Sequence, residues 1–434
     1  MDFKAVLKCS GVILFISGKN TYQIQQMNQN LTVQEAEDHY QELKARGSQL
    51  DLTRGKPSSE QLDLSLDLEN LPISNFIEDG IDTRNYGELL GLEKMRQLGS
   101  EILGCKKEMV IAGGNSSLTL MAQYISNLFF QGSGEGPWSM QERNSVLCPV
   151  PGYDRHFTLC DEFSINMIPI PLTGNGPDIE KAKSIVSNDP SVKGIWCVPK
   201  HSNPTGETYS KESIEGLLEI ASQRKGFRIF WDNAYAVHDF KESAPLPNIF
   251  SLAKEKKMLD SIIAFASTSK ITFAGSGVSF MAMSEANLDN FIKHYSSIVI
   301  GPDKVNQSRH IKFFKNFEGL KNHMLKHAEI LSPKFELVDK WLSKQNFGSW
   351  TKPTGGYFVT FKSEPGLAKE IISLAKNAGL KLTPAGATFP YGVDPEDEII
   401  RLAPTACTIE ELEQAMQIFN SCVALASVKK TVSS

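Results

Sequence analysis

Short apolar segments alternate with amphipathic segments through the middle of the chain. Runs rich in Val, Ile, Phe and Ala predict buried strands over residues 109–112, 145–148, 194–199, 227–230 and 261–266. Helix-like patterns, such as the one over residues 213–223, separate these strands. This alternation is typical of an α/β domain with a mostly parallel sheet flanked by helices, and we expect the domain to cover residues 86–315.

The two ends of the chain follow a different pattern. Charges that alternate with Tyr40 and Leu43 predict a helix over residues 32–46, and further helices are predicted over residues 317–344, 367–377 and 409–425. Apolar strand patterns lie at residues 355–361 and 398–405. We therefore predict a smaller α+β domain, built from residues 31–85 and 316–434.

Residues 1–30 are predicted to form a disordered extension. Their apolar run over residues 12–16, which follows Lys4 and Lys8, resembles the core of a signal peptide. The run is short, however, and no small-residue cleavage site follows it. It is also too short to span a membrane.

Composition narrows the class of function. The chain has 434 residues, 41% of them hydrophobic, which is ample for a large buried core. The net charge is only −5, so no broad basic surface is expected, and nucleic acids and membranes are disfavoured as partners. The seven cysteines show no paired spacing, which argues against a disulfide framework and against a metal site. We expect a cytoplasmic enzyme.

Lys270 is the candidate residue whose neighbours in sequence offer the most groups that could bind a cofactor. It ends the run Ser267-Thr268-Ser269-Lys270, between a predicted strand and the glycine turn at residues 275–277. Pyridoxal phosphate (PLP) is an aldehyde cofactor that forms a Schiff base with a lysine, and the hydroxyls of Ser267 and Ser269 can donate to its phosphate. A solvated surface lysine is the alternative that this motif alone leaves open.

Asn203, Asp232 and Tyr235, which precede Lys270 in the chain, supply groups that such a cofactor needs. Asp232 follows the predicted strand 227–230, and a carboxylate there can keep the pyridine nitrogen protonated so that the ring accepts electrons. Asn203, in an Asn-Pro-Thr-Gly turn, and Tyr235 can donate to the phenolate oxygen of the ring and lower the basicity of the imine nitrogen. The ordinary alternatives are a helix cap for Asp232, a simple turn for Asn203 and packing for Tyr235.

A glycine turn after the first predicted strand indicates a phosphate cradle. The pair Gly113-Gly114 lets the backbone approach an anion closely. Asn115 or Ser116 can cap the helix that follows, and the free amides at its start favour a phosphate. An ordinary capped helix is the alternative.

Two further side chains suit an amino-acid substrate bound to such a cofactor. Tyr153 follows the strand predicted at residues 145–148 and could stack on the pyridine ring. Arg401 lies in the otherwise apolar pattern 398–405, where a buried guanidinium should have an anionic partner. Its planar fork could grip an α-carboxylate with two parallel hydrogen bonds, although a structural salt bridge is the alternative.

Taken in order, these motifs resemble those of fold type I PLP-dependent aminotransferases of the aspartate aminotransferase superfamily. The similarity covers nearly the whole chain and includes residues 86–91, 113–117, 151–153, 203–206, 232–235, 267–270 and Arg401. Residues 51–57, with the sequence Asp-Leu-Thr-Arg-Gly-Lys-Pro, and residues 269–273 resemble the type Ic branch of aspartate aminotransferases.

The resemblance implies a fold, a partner and a reaction. The fold would be a seven-stranded sheet with a smaller α+β domain, and the activity would be transamination between an amino acid and a 2-oxo acid, aspartate with 2-oxoglutarate. Tyr86 resembles the tyrosine that crosses a dimer interface to the partner's phosphate, so a homodimer with shared sites is implied. Arg401, Gly55 and Arg54 would contact the substrate. The cation for a second carboxylate stays open among Arg54, Lys56 and Arg155.

One motif departs from the family pattern. The superfamily usually places an arginine shortly after the glycine turn that follows the lysine, but this chain reads Gly275-Ser276-Gly277-Val278-Ser279. Either hydroxyls together with the helix dipole hold the phosphate, or a basic residue from elsewhere in the chain replaces the arginine.

In the mechanism we predict, Lys270 is both the anchor of the cofactor and the base that moves the α proton, and ping-pong kinetics follow. Two other classes share these motifs. A PLP-dependent lyase or synthase would use the same groups. An aminotransferase-like regulator would resemble the lysine region, but its basic DNA-binding domain needs more chain than precedes the similarity here.

Overall fold

The structure is a computed structural model that describes residues 31–71, 76–132, 134 and 136–433, together with the backbone of a two-stranded pair at residues 8–9 and 12–13. Apart from that backbone, the predicted extension over residues 1–30 lies outside the described residues.

Strands and helices are labelled in chain order. The strands are β1 (Lys8–Cys9), β2 (Val12–Ile13), β3 (Leu50–Asp51), β4 (Ile77–Glu78), β5 (Ile81–Asp82), β6 (Val110–Ala112), β7 (Ser145–Val150), β8 (Asn166–Pro171), β9 (Val192–Cys197), β10 (Arg228–Asp232), β11 (Ile262–Ser267), β12 (Ser279–Met283), β13 (Ser349–Trp350), β14 (Val359–Lys362), β15 (Leu380–Lys381) and β16 (Ile399–Leu402). The helices are α1 (Val33–Ala45), α2 (Ser59–Asp63), α3 (Asp67–Asn70), α4 (Glu93–Leu103), α5 (Ser117–Phe130), α6 (Asp154–Glu162), α7 (Ile179–Asn188), α8 (Lys211–Ser222), α9 (Ile249–Glu255), α10 (Glu285–Ile298), α11 (Lys304–Phe314), α12 (Phe317–Leu342), α13 (Ala368–Asn377) and α14 (Ile409–Ser433).

The main sheet has seven strands in the order β6-β12-β11-β10-β9-β7-β8. The five strands from β11 to β8 pair in parallel. β12 is antiparallel to both of its neighbours, β11 and β6, so β6 shares the direction of the five. The predicted α/β fold with a mostly parallel seven-stranded sheet is confirmed.

Both faces of the central strands of this sheet are buried, which explains why their inner positions are mostly apolar. Ile263 and Phe265 of β11 belong to one hydrophobic cluster, whereas Ile262 and Ala264 belong to another. Successive side chains of a strand point to opposite faces, so a strand covered on both sides needs apolar residues throughout.

A second layer surrounds the antiparallel sheet β13-β14-β16 and the short parallel pair β3-β15. The helices α1, α12, α13 and α14 pack their apolar faces into one cluster with these strands. The parts contributed by α1 and by the carboxyl-terminal helices thus meet in space. The exact division into domains 31–85 with 316–434 and 86–315 stays a prediction.

The last helix differs from its prediction. We expected it to end near residue 425, but α14 continues to Ser433. Ala426 and Val428 are still buried in the cluster, so the apolar contact continues beyond the predicted end.

No helix in the described ranges is long and apolar enough to cross a membrane. Likewise, the described part of the chain contains no cluster of His, Cys, Asp or Glu side chains suited to a metal ion.

Candidate active site

The candidate residues meet where the parallel strands β9, β10 and β11 end. Asp232 is the last residue of β10, and Lys270 ends the single 3₁₀ turn that follows β11. Asn203 lies in the turn after β9. Neighbouring parallel strands end on the same side of the sheet, and this is where open α/β sheets bind ligands. A cavity of about 390 Å³ opens here, lined by Thr53, Arg54, Gly55, Tyr153, Asp154, Arg155, Asn203, Tyr235, Lys270, Phe358, Thr383, Pro384, Ala387 and Arg401.

Lys270 projects from a turn that local hydrogen bonds hold in place. The Ser267 hydroxyl caps the turn by accepting from the backbone N–H of Ser269 at 3.1 Å. The lysine Nζ lies 5.0 Å from the centroid of the Tyr235 ring. Burial lowers the pKa of the Lys270 amine, and the negative charge of Asp232 opposes this shift. A lowered pKa suits an amine that must act as a nucleophile and a base.

Asp232 presents one free carboxylate oxygen to the site. The residue is buried, and its Oδ2 accepts from His156 Nε2 at 3.0 Å. Its Oδ1 is buried without a hydrogen-bond partner among the described residues. His156 is in turn stacked on Trp196, with ring centroids 4.2 Å apart. A buried carboxylate oxygen without a partner is costly, and a protonated ring nitrogen would satisfy it.

The glycine cradle lies at the start of α5, and its first amide, that of Gly113, donates to the Ser279 carbonyl. Ser116 occupies the N-cap position, but no side chain caps the helix, and its first turn has no acidic residue. The predicted cap by Asn115 or Ser116 is therefore wrong, because Asn115 instead donates to the Gly275 carbonyl at 3.2 Å. An uncapped helix start is the arrangement that favours an anion.

Two hydroxyls complete the cradle. Ser267 and Ser269 both donate to the carbonyl of Asn115, and each hydroxyl could rotate to donate to a phosphate instead. A Cβ added at Gly114 would project into open space beside them. In the turn that lacks the family arginine, Asn306 Nδ2 donates to the carbonyls of Ser276 and Gly277.

These features fit PLP. The site offers a lysine amine of lowered pKa, a buried carboxylate oxygen without a partner and a helix start open to an anion, all at neighbouring strand ends. Lys270 would hold the aldehyde carbon, Asp232 the ring nitrogen, and the start of α5 with Ser267 and Ser269 the phosphate.

Arg401 has the anionic partner that its burial predicts. Its Nη1 lies 3.3 Å from Asp154 Oδ1 and 3.3 Å from Asn203 Oδ1. The rest of the guanidinium donates to the Thr383 hydroxyl and to the Thr53 carbonyl at 3.2–3.3 Å, and its plane lies over the Phe358 ring. The Asn203 amide oxygen faces Arg401, which leaves the amide nitrogen to donate elsewhere.

The other predicted residues fall in three places. Tyr153 lines the cavity at the start of α6, and Tyr235 is buried beneath Lys270. Gly55 packs so closely on Phe358 that an added Cβ would lie 2.5 Å from its ring, while Arg54 is exposed at the cavity wall. Tyr86 is 83% exposed and does not line the cavity.

Sequence reasoning missed His156 and Asp154, although both follow Tyr153 closely in the chain. The signal for both is their place at the start of α6, directly after β7, because His156 pairs with Asp232 and Asp154 pairs with Arg401. Phe358 and Thr383 were also missed. Nothing in their local sequence points to the cavity, because the smaller layer brings them there.

Fold and site together define a PLP-dependent transferase of fold type I. The sequence model of the family described as aspartate amino-transferase matches residues 25–434. An aspartate aminotransferase of Corynebacterium glutamicum is 43% identical over 399 residues, which cover 90% of this chain and 92% of that protein. The chain belongs to the aspartate aminotransferase family, and it is a PLP-dependent aminotransferase.

Solved structures agree with this assignment. The crystal structure of an aspartate transaminase from C. glutamicum has a TM-score of 0.88 and 42% identity, and the match covers 92% of this chain and 96% of that one. The α-aminoadipate aminotransferase of Thermus thermophilus, solved with N-(5′-phosphopyridoxyl)-L-leucine, has a TM-score of 0.74 at 19% identity, covering 92% and 98% of the two chains. At that distance the likeness shows the fold alone.

Proposed function

We propose that the protein transfers amino groups between dicarboxylic substrates, aspartate with 2-oxoglutarate. The observation that carries this proposal is the charge of the cavity wall. Arg401 lies in the cavity wall beside Asn203. Two further guanidinium groups, those of Arg54 and Arg155, line the same cavity. A substrate with two carboxylates would match a cavity that offers cations for both.

Arg401 supports recognition of the α-carboxylate. It is fixed by Thr383, Thr53 and Phe358, so its fork is held before any substrate arrives. Asp154 occupies part of this fork, and its side chain is 33% exposed. We infer that the incoming carboxylate displaces Asp154, which can turn toward solvent, and takes over the pairing with the guanidinium.

Arg54 and Arg155 support recognition of the second carboxylate. No hydrogen bond or ion pair joins either guanidinium to another residue in the described part of the chain, and both are exposed at the cavity. Lys56, the third cation that the sequence left open, does not line the cavity. Two guanidinium groups without partners are therefore available to a substrate carboxylate.

The chemistry follows from the remaining side chains. Bound PLP supplies an electron sink for the carbanion formed at the substrate's α carbon. Lys270 Nζ would accept the proton from the substrate's α carbon, hold it as an ammonium group and give it up again to complete the transfer. The Asp232 carboxylate would hold a proton on the ring nitrogen, while Asn203 and Tyr235 would donate to the phenolate oxygen. Tyr235 can do so because burial raises the pKa of its hydroxyl well above the ordinary value, which keeps it protonated.

Replacing Arg54 or Arg155 by glutamine tests the substrate. We expect each change to raise KM for aspartate by about 10-fold, since a hydrogen bond to a charged group is lost, and to leave kcat/KM for alanine unchanged. Arg401→Lys is the matched comparison, because it should raise KM for aspartate and alanine alike. Initial rates with each amino acid and a saturating 2-oxo acid measure the difference.

Two outcomes would contradict the proposal. Equal losses for aspartate and alanine in the Arg54 and Arg155 variants would assign both residues to general positioning. Formation of no glutamate from aspartate and 2-oxoglutarate, together with release of pyruvate and ammonia from an amino acid with a β leaving group such as serine, would identify a lyase.

A homodimer with shared sites belongs to the same proposal. Tyr86 is a large aromatic residue that its own chain leaves 83% exposed, which supports a contact with a second copy. We expect sedimentation to give a dimer, and Tyr86→Phe to release PLP more readily while the dimer persists. A monomeric holoenzyme with full activity would contradict this assembly. The six described cysteines are free, which supports the cytoplasmic location.

A further inference from the structure

We propose that four buried side chains, Gln61, His323, His327 and Tyr357, form a clamp that positions Lys270 by holding the two carbonyl groups at and after it. None of the four lines the cavity, so they act through the backbone as positioning residues. The inference rests on the proposed role of Lys270 as the residue that bonds the cofactor.

Tyr357 makes the first contact of the clamp. Its side chain is fully buried, and its hydroxyl donates to the Lys270 carbonyl at 3.3 Å. The same hydroxyl accepts from Gln61 Nε2 at 3.0 Å. The orientation of the Gln61 amide is fixed, because its Oε1 accepts from the backbone N–H of Ser58 in the capping box of α2. The amide nitrogen must therefore face Tyr357.

Two histidines make the second contact. Gln61 Nε2 also donates to His327 Nδ1 at 3.0 Å, so the single proton of a neutral His327 ring lies on Nε2. His323 Nε2 lies 2.8 Å from the Ile271 carbonyl, which can only accept, and 3.1 Å from His327 Nε2, so the N–H groups of both rings converge on this one carbonyl. Burial lowers the pKa of both rings, to about 4 for His327. Both are therefore neutral near pH 7.

The clamp joins elements that are distant in sequence. Gln61 lies in α2, His323 and His327 lie in α12, and Tyr357 precedes β14, whereas the carbonyls belong to the turn after β11. Local hydrogen bonds tie the start of this 3₁₀ turn at Ser267 and Thr268, whereas the Lys270 and Ile271 carbonyls lie against side chains from other elements. Partners from α2, α12 and the β14 approach fix the Lys270 backbone against the layer that carries Arg401, the proposed substrate carboxylate site.

A network of this kind is costly unless it is satisfied, which argues for a specific role. Apolar side chains of similar volume would fill the same space without any requirement for matched donors and acceptors. The geometry instead delivers side-chain donors to two successive carbonyls, those of Lys270 and Ile271. Misplacement of a catalytic group by about 1 Å can cost about 10²-fold in rate, so hydrogen bonds that fix this backbone can affect the rate strongly.

Tyr357→Phe in the holoenzyme tests the clamp, because it removes one oxygen atom and nothing else. We expect the rate of the aspartate half-reaction to fall about 10-fold with KM nearly unchanged. The pH titration of the absorbance of bound PLP should shift. In the cofactor-free protein, amide hydrogen exchange over residues 268–273 should become faster. Tyr40→Phe is the matched control, since the buried Tyr40 also donates its hydroxyl to a carbonyl, that of Leu374, at 3.1 Å.

His323 provides a second test should Tyr357→Phe fold poorly. His323→Leu removes the donor to Ile271 and should reproduce the same three changes, whereas His323→Gln retains an N–H and should restore part of the rate. If both Tyr357→Phe and His323→Leu lower only thermal stability, as Tyr40→Phe is expected to, the clamp is packing and the proposal fails. Borohydride reduction and peptide mapping of the wild type test the proposed function independently of the clamp. A tag on a residue other than Lys270 would overturn the proposed function, whereas a tag on Lys270 leaves only the clamp in question.

Discussion

Lys270→Ala is expected to reduce transamination by about 10⁴-fold, the upper range for a positioned acid–base group. Two losses combine. The covalent bond to the cofactor disappears, and no other described lysine lines the cavity to move the proton at the substrate's α carbon. The protein should bind PLP without the absorbance of a lysine Schiff base. Absorbance spectra and single-turnover rates with aspartate measure both losses.

Lys334→Met is the control for this experiment. Lys334 is also a buried lysine, and among the described residues its Nζ donates only to the Thr405 carbonyl, away from the cavity. This variant should keep the spectrum and carry the borohydride tag on Lys270. A Lys270→Ala protein that is yellow and fully active would falsify the central assignment.

The placement of candidate residues at the ends of strands could be predicted from local sequence. Lys270, Asp232 and Asn203 each follow an apolar run, and runs buried on both faces are easily recognised as strands. Parallel strands end on one side of a sheet, so predicting the strands also predicted that these three residues meet. The order of strands in the sheet was not predicted, since periodicity does not determine which strands are neighbours.

Interactions between distant segments could not be predicted in the same way. The partners of Arg401 are separated from it by up to 348 residues, the separation to Thr53. The clamp of Tyr357 and Gln61 likewise joins residues that are 296 positions apart. The capping prediction at Ser116 failed for another reason: serine before a helix is usually a cap, and only the neighbouring turn shows that Asn115 is engaged elsewhere.

The missing arginine changes how the phosphate would be held. With no guanidinium in the turn 275–279, the cradle depends on the uncapped start of α5 and on the hydroxyls of Ser267 and Ser269. Neutral donors and a helix dipole compensate the negative charge of a phosphate less strongly than a cation does. Retention of PLP should consequently depend more on Lys270 and Asp232 than on the phosphate.

Asp232→Asn separates the charge of this residue from its shape, and we expect kcat to fall about 10²–10³-fold. The amide oxygen can still accept from His156 Nε2, so the packing of the His156 and Trp196 rings should persist. An amide does not hold a proton on the ring nitrogen, and the ring then accepts electrons poorly. PLP should remain bound through Lys270. Stopped-flow half-reactions with aspartate, together with the spectrum, measure the loss.

His156→Gln separates the contribution of the Asp232 carboxylate from that of the His156 ring, which donates to it. Glutamine can donate to Asp232 Oδ2 as His156 does, and the negative charge stays in place, so kcat should fall far less than in Asp232→Asn. The comparison is informative because Asp232 Oδ1 has no partner among the described residues, which leaves that oxygen alone to face the ring nitrogen. Equal losses in the two variants would mean that His156, rather than the charge of Asp232, controls the ring.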